Sequence, residues 1–205
     1  MFELKLKKGF IQYNFFIKMQ LYVVKLVLIL GPMFSGKSSE LIANIRRLQA
    51  INKTFLVIKP SIDNRYSQND FIVSHNKDNE ACISLYNLKD LLEKDLTDIN
   101  TIFIDEGQFF SDLKSVVIEL VEKRNINVFI SGLDGDSDRN KFGEVVDLIP
   151  YCDNIIKTKA LCKMCGDGTE AIFSHYHTKK ESQVDVGGCD KYEPLCRKHY
   201  LSLNN

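Results

Sequence analysis

An excess of either charge is missing from this sequence: 27 Lys and Arg stand against 27 Asp and Glu in 205 residues, a formal net charge of zero. That balance argues against a broad surface for nucleic-acid backbones, while a single nucleotide remains an easy partner. Long apolar runs are missing too. The run Leu21 to Leu30 is interrupted by Lys25 and is too short to cross a bilayer. Residues 1–20 mix lysines with aromatics and lack the apolar core and small-residue cleavage site of a signal peptide. Internal repeats, low-complexity tracts and long linkers are also absent. The expectation is a cytoplasmic protein with neither membrane nor nucleic acid as partner.

What is present suits one well-buried domain, or one domain with a small appendage: 44% of residues are hydrophobic and 26% charged. In a reducing compartment, six cysteines suggest metal binding or free thiols before disulfides. Met19 lies just before the first convincing strand. Residues 1–18 read as an N-terminal extension open to disorder, or as the product of an upstream start codon.

The most informative stretch is LVLILGPMFSGKSSELIANIRR, residues 26–47. An apolar strand runs into Gly31, four residues, then Gly36-Lys37-Ser38, the phosphate-loop pattern G-x-x-x-x-G-K-[ST]. Leu41, Ile42, Ile45, Leu48 and Ile51 then recur at helical spacing. Glycines let successive N–H groups turn inward, and the following helix adds its positive end. Lys37 would bridge the outer phosphates and Ser38 would hold Mg²⁺. A glycine turn with an incidental lysine is the bland alternative, and the flanking strand and helix count against it.

Further on, strand-like and helix-like patterns alternate. Lys53 to Lys59 reads as a strand ended by Pro60, Leu88 to Leu96 as a helix and TIFIDE from Thr101 as a strand. Ser111 to Lys123 reads as an amphipathic helix, and NVFISGLDGD from Asn127 as a strand ending in a glycine turn. The alternation predicts an α/β fold, a mostly parallel sheet with helices on both faces, whose sites lie beyond the carboxyl ends of the strands. Near Pro150 the character changes. Residues 160–200 hold four of the six cysteines and three of the four histidines with little periodic core, which predicts a small domain stabilised by something other than burial. The expected division is 19–150 for the nucleotide-binding domain and 151–205 for the appendage.

Asp105 and Glu106 emerge where a buried strand ends. An acid there completes the Mg²⁺ shell in phosphate-loop enzymes, the role expected of Asp105. Glu106 could take a proton from an acceptor hydroxyl or, as in many ATPases, activate water. Cys162 and Cys165 form C-x-x-C, and Cys196 and His199 form C-x-x-H, two chelating pairs that can supply a structural Zn²⁺ with three sulfurs and one nitrogen. Cys189 has no chelating neighbour. Cys82 and Cys152 read as buried small apolar residues, and His175 and His177 as loop histidines.

Taken together, GPMFSGKSSE, DNRYS from Asp63, IDEGQFF, GLDGD, the paired chelators and VGGCDKYEPLC resemble thymidine kinase of the cellular and poxvirus type, over roughly residues 21–200. The resemblance implies a RecA-like P-loop domain with a zinc-binding lasso domain, and ATP-dependent transfer to the 5′-hydroxyl of thymidine, with deoxyuridine a plausible second substrate. It implies a nucleotide-binding set of Gly31, Pro32, Met33, Phe34, Ser35, Gly36, Lys37 and Ser38, with Asp63, Asn64, Arg65, Asp105, Glu106, Gly107 and Gln108. Ser38 and Asp105 would hold Mg²⁺, Glu106 would be the proton acceptor and Arg65 would steady the moving phosphoryl group. The thymidine site would comprise Met33, Phe109, Leu133, Phe142, Phe173, Ser174 and Tyr192. Over it would close a lasso loop at about Gln183 to Gly188, including Val184, Asp185, Val186 and Gly187. A homotetramer and feedback inhibition by dTTP are also implied.

Departures from the family pattern are specific. Ser137 stands near a place where animal members carry an aromatic residue, and His199 replaces their usual cysteine, a chemically acceptable ligand change. Two rival classes fit less well. A GTPase would need an N-K-x-D motif, which HNKDNE and RNKFG do not supply, and a zinc-dependent nucleic-acid-binding ATPase would need a basic stripe.

Overall fold

The computed structural model describes residues 24–62, 71–73, 79–177 and 182–204. The expectations placed on residues 1–18 and on Asp63, Asn64 and Arg65 lie outside the described residues.

The first described strand, β1 (Leu26–Leu30), is apolar throughout and buried along its whole length, as a parallel strand covered on both faces must be. Five more join it: β2 (Phe55–Pro60), β5 (Ile83–Leu85), β6 (Thr101–Ile104), β7 (Asn127–Gly132) and β8 (Asn154–Lys157). Their order is β5-β2-β6-β7-β1-β8 and every pairing is parallel. A small antiparallel hairpin, β3 (Phe71–Val73) with β4 (Asn79–Ala81), stands apart from the sheet. The sixth sheet strand therefore comes from beyond residue 150.

Alternation along the strands divides the core in two. Leu26, Leu28 and Leu30 pack in one cluster with Leu113, Val116 and Val117 of helix α2 (Leu113–Ile118). Ile29, Val57 and Phe103 pack in another with Leu41, Ile42 and Ile45 of helix α1 (Lys37–Gln49). Helices thus cover both faces, and each of these buried side chains contributes about 1.5–3 kcal/mol.

Two helices differ from expectation. Over 88–96 only a 3-10 turn forms, Leu88–Leu91. The Asp95 carboxylate accepts the Thr97 N–H at 3.0 Å and its hydroxyl at 2.6 Å, a local turn that competes with helix. Over 111–123 the helix begins at Leu113 and widens into a π-turn at Glu119–Lys123. Asp112, the residue before it, uses its carboxylate to hold the N–H groups of Leu88 and Lys89, at 3.2 and 2.8 Å.

After β8 the chain builds a small lobe from two antiparallel pairs and a helix. The pairs are β9 (Ala160–Leu161) with β10 (Glu170–Ala171), and β11 (Phe173–Tyr176) with β12 (Tyr192–Leu195). Helix α3 (Arg197–Leu203) follows. Its core is six buried residues, Ala160, Cys162, Ala171, Leu195, Cys196 and Tyr200, against which Phe34 also packs. His175 is a strand residue opposite Glu193, not a loop residue, because the β11–β12 ladder runs through it.

Candidate active site

At the carboxyl end of β1 the chain leaves the sheet and winds back into α1 through Gly36, whose φ of 82° is left-handed. Gly31 has no room for a side chain: a Cβ there would overlap the Thr158 hydroxyl and lie 2.8 Å from Ser35 Oγ. Ser35 and Thr158 share a hydrogen bond at 2.8 Å, so the end of β8 braces the loop. Lys37 is buried and donates to the Pro32 carbonyl at 2.7 Å. Burial, and then the charge of Lys37, hold the Lys157 ammonium below the usual lysine range. Lys157 pairs with Asp134. A loop that passes through two left-handed residues, Phe34 and Gly36, into a helix start, with two lysines beside it, is suited to an anion.

The two carboxylates after β6 diverge. Asp105 is buried and accepts the Ser38 hydroxyl at 3.1 and 3.2 Å, and the Ser131 hydroxyl on its other side. It thus faces the loop. Glu106 has φ 50°, a left-handed conformation uncommon for a residue with a side chain. Its Oε2 accepts Gln108 Nε2 at 2.5 Å. Gln108 in turn accepts the Leu133 N–H at 3.0 Å through Oε1. Gly107 is buried, with Ile130 filling the space beside it.

Gln108 lines a cavity together with Met33, Phe109, Leu133, Phe142, Ser174 and Tyr192. From the lasso segment, Asp185, Val186 and Gly187 join them. Phe109 and Phe142 meet edge to face at 5.5 Å, and the Ser174 hydroxyl accepts the Met33 N–H at 2.9 Å. Asp185 accepts Lys191 Nζ at 2.6 Å and the Tyr176 hydroxyl, while Tyr192 donates to the Asp185 carbonyl at 2.7 Å. With the lasso so held, the cavity volume is ≈ 20 Å³, room for about one water.

In the small lobe, Cys162, Cys165, Cys196 and His199 bring their donor atoms within 4.8 Å of one another. His199 Nδ1 lies 3.4, 3.4 and 3.6 Å from the three sulfurs, and the Cys165 and Cys196 sulfurs are 3.8 Å apart. A tetrahedral zinc with ordinary bond lengths requires about 3.5 Å for S···N and about 3.8 Å for S···S. The donor set therefore fits zinc. Cys189 is exposed and outside the cluster, Cys82 is buried and Cys152 half-buried.

Loop, paired acids, apolar cavity and metal cluster invite comparison with known proteins. The sequence profile described as "Thymidine kinase" matches residues 24–200. A "Thymidine kinase" of Monkeypox virus is 40% identical over 175 residues, covering 85% of this chain and 95% of that one. The chain belongs to the thymidine kinase family. A plant member, from Oryza sativa subsp. japonica, is 37% identical over 188 residues, covering 88% and 67% of the two chains. "Thymidine kinase a" of Arabidopsis thaliana is 36% identical over 178 residues, covering 85% and 74%.

Three residues expected at the thymidine site, Phe173, Gln183 and Val184, are not among those lining this cavity. Phe173 does not line the cavity: its ring packs 4.8 Å from Tyr200, with the Arg139 and Arg197 guanidinium groups over it at 5.9 and 5.1 Å. Gln183 is a strut, donating to Asp136 Oδ2 at 2.8 Å and to the Lys141 carbonyl at 3.0 Å, and Val184 is exposed. Asp136 carries no expected role in the sequence analysis. Its other oxygen accepts the N–H groups of Asp138 and Asn140, at 2.9 and 2.8 Å, so one carboxylate shapes the turn and anchors the lasso. An Asp followed at two and four places by turn residues, DSDRN, was the available signal. Among the described residues, no helix of this family member is long and apolar enough to cross a membrane.

Proposed function

We propose that the chain is an ATP-dependent thymidine kinase, moving the γ-phosphate of ATP to the 5′-hydroxyl of thymidine in deoxynucleotide salvage, with deoxyuridine a second substrate. The observation that carries this reading is the divergence of two neighbours, Asp105 toward the Ser38 loop and Glu106 toward the Gln108 wall of the cavity. One acid thereby serves the phosphates and the next serves the acceptor.

In this reading the amides from Gly31 to Ser38 and the Lys37 ammonium hold the phosphate chain, with Arg65 adding a cation. Ser38 and Asp105 would hold Mg²⁺, which neutralises developing charge when bound. Glu106 takes the 5′-hydroxyl proton as the oxygen attacks phosphorus and the bond to the β-phosphate oxygen breaks, releasing ADP. Met33, Phe109, Leu133, Phe142 and Tyr192 enclose the thymine, and Asp185, Val186 and Gly187 cover it, which excludes water as a competing acceptor. The Cys162, Cys165, Cys196 and His199 cluster holds a structural zinc that ties the lasso's two ends. Family resemblance extends the proposal to a cytoplasmic homotetramer inhibited by dTTP, with a nucleotide-binding part and a lasso-bearing part.

The test is transfer of labelled γ-phosphate from ATP to a panel of nucleosides. Thymidine monophosphate is the expected product; label passing only to water would refute the kinase reading.

A further inference from the structure

Among the described residues, a single buried side-chain oxygen or nitrogen lacks a hydrogen-bond partner: Ser137 Oγ. Ser137 is 5% exposed and belongs to the wall of the cavity that holds Leu133 and Phe142. Buried hydroxyls without partners are rare, because burial removes their water and returns nothing. The one instance falls in the wall of a cavity, where a bound group can supply the missing partner.

Every other polar side chain named in that wall is already engaged. Gln108 spends both ends of its amide on Glu106 and Leu133. Asp136 accepts from Asp138, Asn140 and Gln183. Ser174 accepts from Met33, Asp185 is held by Lys191 and Tyr176, and Tyr192 donates to the Asp185 carbonyl. The backbone of Ser137 is fixed as well: its carbonyl accepts the Tyr200 hydroxyl at 2.5 Å, from a tyrosine that is itself buried. Only χ1, with its three staggered positions, and rotation of the hydroxyl itself are left to respond to an incoming group. A donor so placed is pre-organised, and a ligand can use it with little loss of conformational freedom.

We propose that the Ser137 hydroxyl is a specificity-determining group of the nucleoside site, reserved for a hydrogen bond to the base of the bound pyrimidine nucleoside. The imide edge of such a base offers two carbonyl acceptors and one N–H donor, and a serine hydroxyl can serve either. The inference rests on the thymidine kinase reading. It adds that this chain recognises the base partly by a polar contact from the turn that Asp136 shapes, beyond apolar enclosure.

The experiment compares the full-length wild type with Ser137→Ala, using thymidine and ATP as probes. The KM for thymidine should rise about fivefold, the loss of one hydrogen bond, while the KM for ATP holds. Without ligand, Ser137→Ala should melt at the same or a higher temperature, because an unpaired buried hydroxyl has been removed. Ser137→Thr, which restores the hydroxyl, should recover most of the thymidine affinity. Tighter stability with weaker thymidine binding is a pairing that a merely structural serine would not give. An unchanged thymidine KM in an active Ser137→Ala enzyme overturns this inference alone, as does a fall in melting temperature that accounts for the kinetic loss. A wild type that phosphorylates no nucleoside overturns the functional reading and this inference with it.

Discussion

Gln108 reaches Glu106 across one residue, its amide nitrogen 2.5 Å from the carboxylate, while its amide oxygen holds the Leu133 N–H. The proposed base is thereby tied to the wall of the cavity proposed for the nucleoside rather than left to swing. Gln108→Met keeps the bulk and removes both bonds. Steady-state kinetics at saturating ATP should show kcat down about tenfold, equivalent to about 1.4 kcal/mol of transition-state stabilisation. A variant with wild-type kcat would show that Glu106 needs no such support.

Glu106→Gln keeps the shape and removes the proton acceptor. ATP affinity, read by equilibrium binding, should stay near wild type while kcat falls by about 10²–10⁴. Unchanged turnover would end the assignment of Glu106 as base.

Gly143 has φ 59°, and a Cβ there would run into the Gln108 carbonyl oxygen. Left-handed backbone with a side chain costs about 1–2 kcal/mol by itself. Gly143→Ala should therefore lose more than that, roughly 2 kcal/mol or above, lowering the melting temperature by about 4–8 °C. Gly166, at φ 65°, has nothing within 4 Å of its missing Cβ. Gly166→Ala should show the backbone penalty alone, about 1–2 kcal/mol. Equal losses at the two sites in calorimetry would remove the steric argument.

The four-donor cluster predicts close to one zinc per chain by elemental analysis. Stripping the metal with a chelator should lower the melting temperature and expose the lobe to proteolysis. Cys165→Ser should weaken retention, whereas His199→Cys, which leaves four good ligands, should keep the metal. A metal-free chain as stable as the loaded one would argue that the cluster is incidental.

Much of the sheet was legible because buried parallel strands are written as short uninterrupted apolar runs, as at Leu26–Leu30 and Thr101–Ile104. The acids after β6 could be read for the same reason: they follow such a run at once. Strand β8 is harder to see, since it lies at the sheet edge and is largely exposed, with no continuous core pattern. The helix expected at 88–96 failed on a competing turn at Asp95. Phe173 and Ser174, paired in the sequence reading, part company because neighbours on a strand face opposite sides: Ser174 meets Met33 and the cavity, Phe173 the core of the small lobe. The bond from Gln183 to Asp136 spans 47 positions, and no local pattern announces a contact of that range.

The ≈ 20 Å³ chamber beneath the lasso has a kinetic meaning. Asp185, latched to Lys191 and Tyr176, holds the strap across that space. In the proposed kinase a nucleoside passes this latch on its way in and out, so opening of the strap, alongside chemistry, sets the pace of turnover. Substitutions that loosen the latch would quicken passage and, in the same stroke, admit the solvent that the closed strap keeps away from ATP.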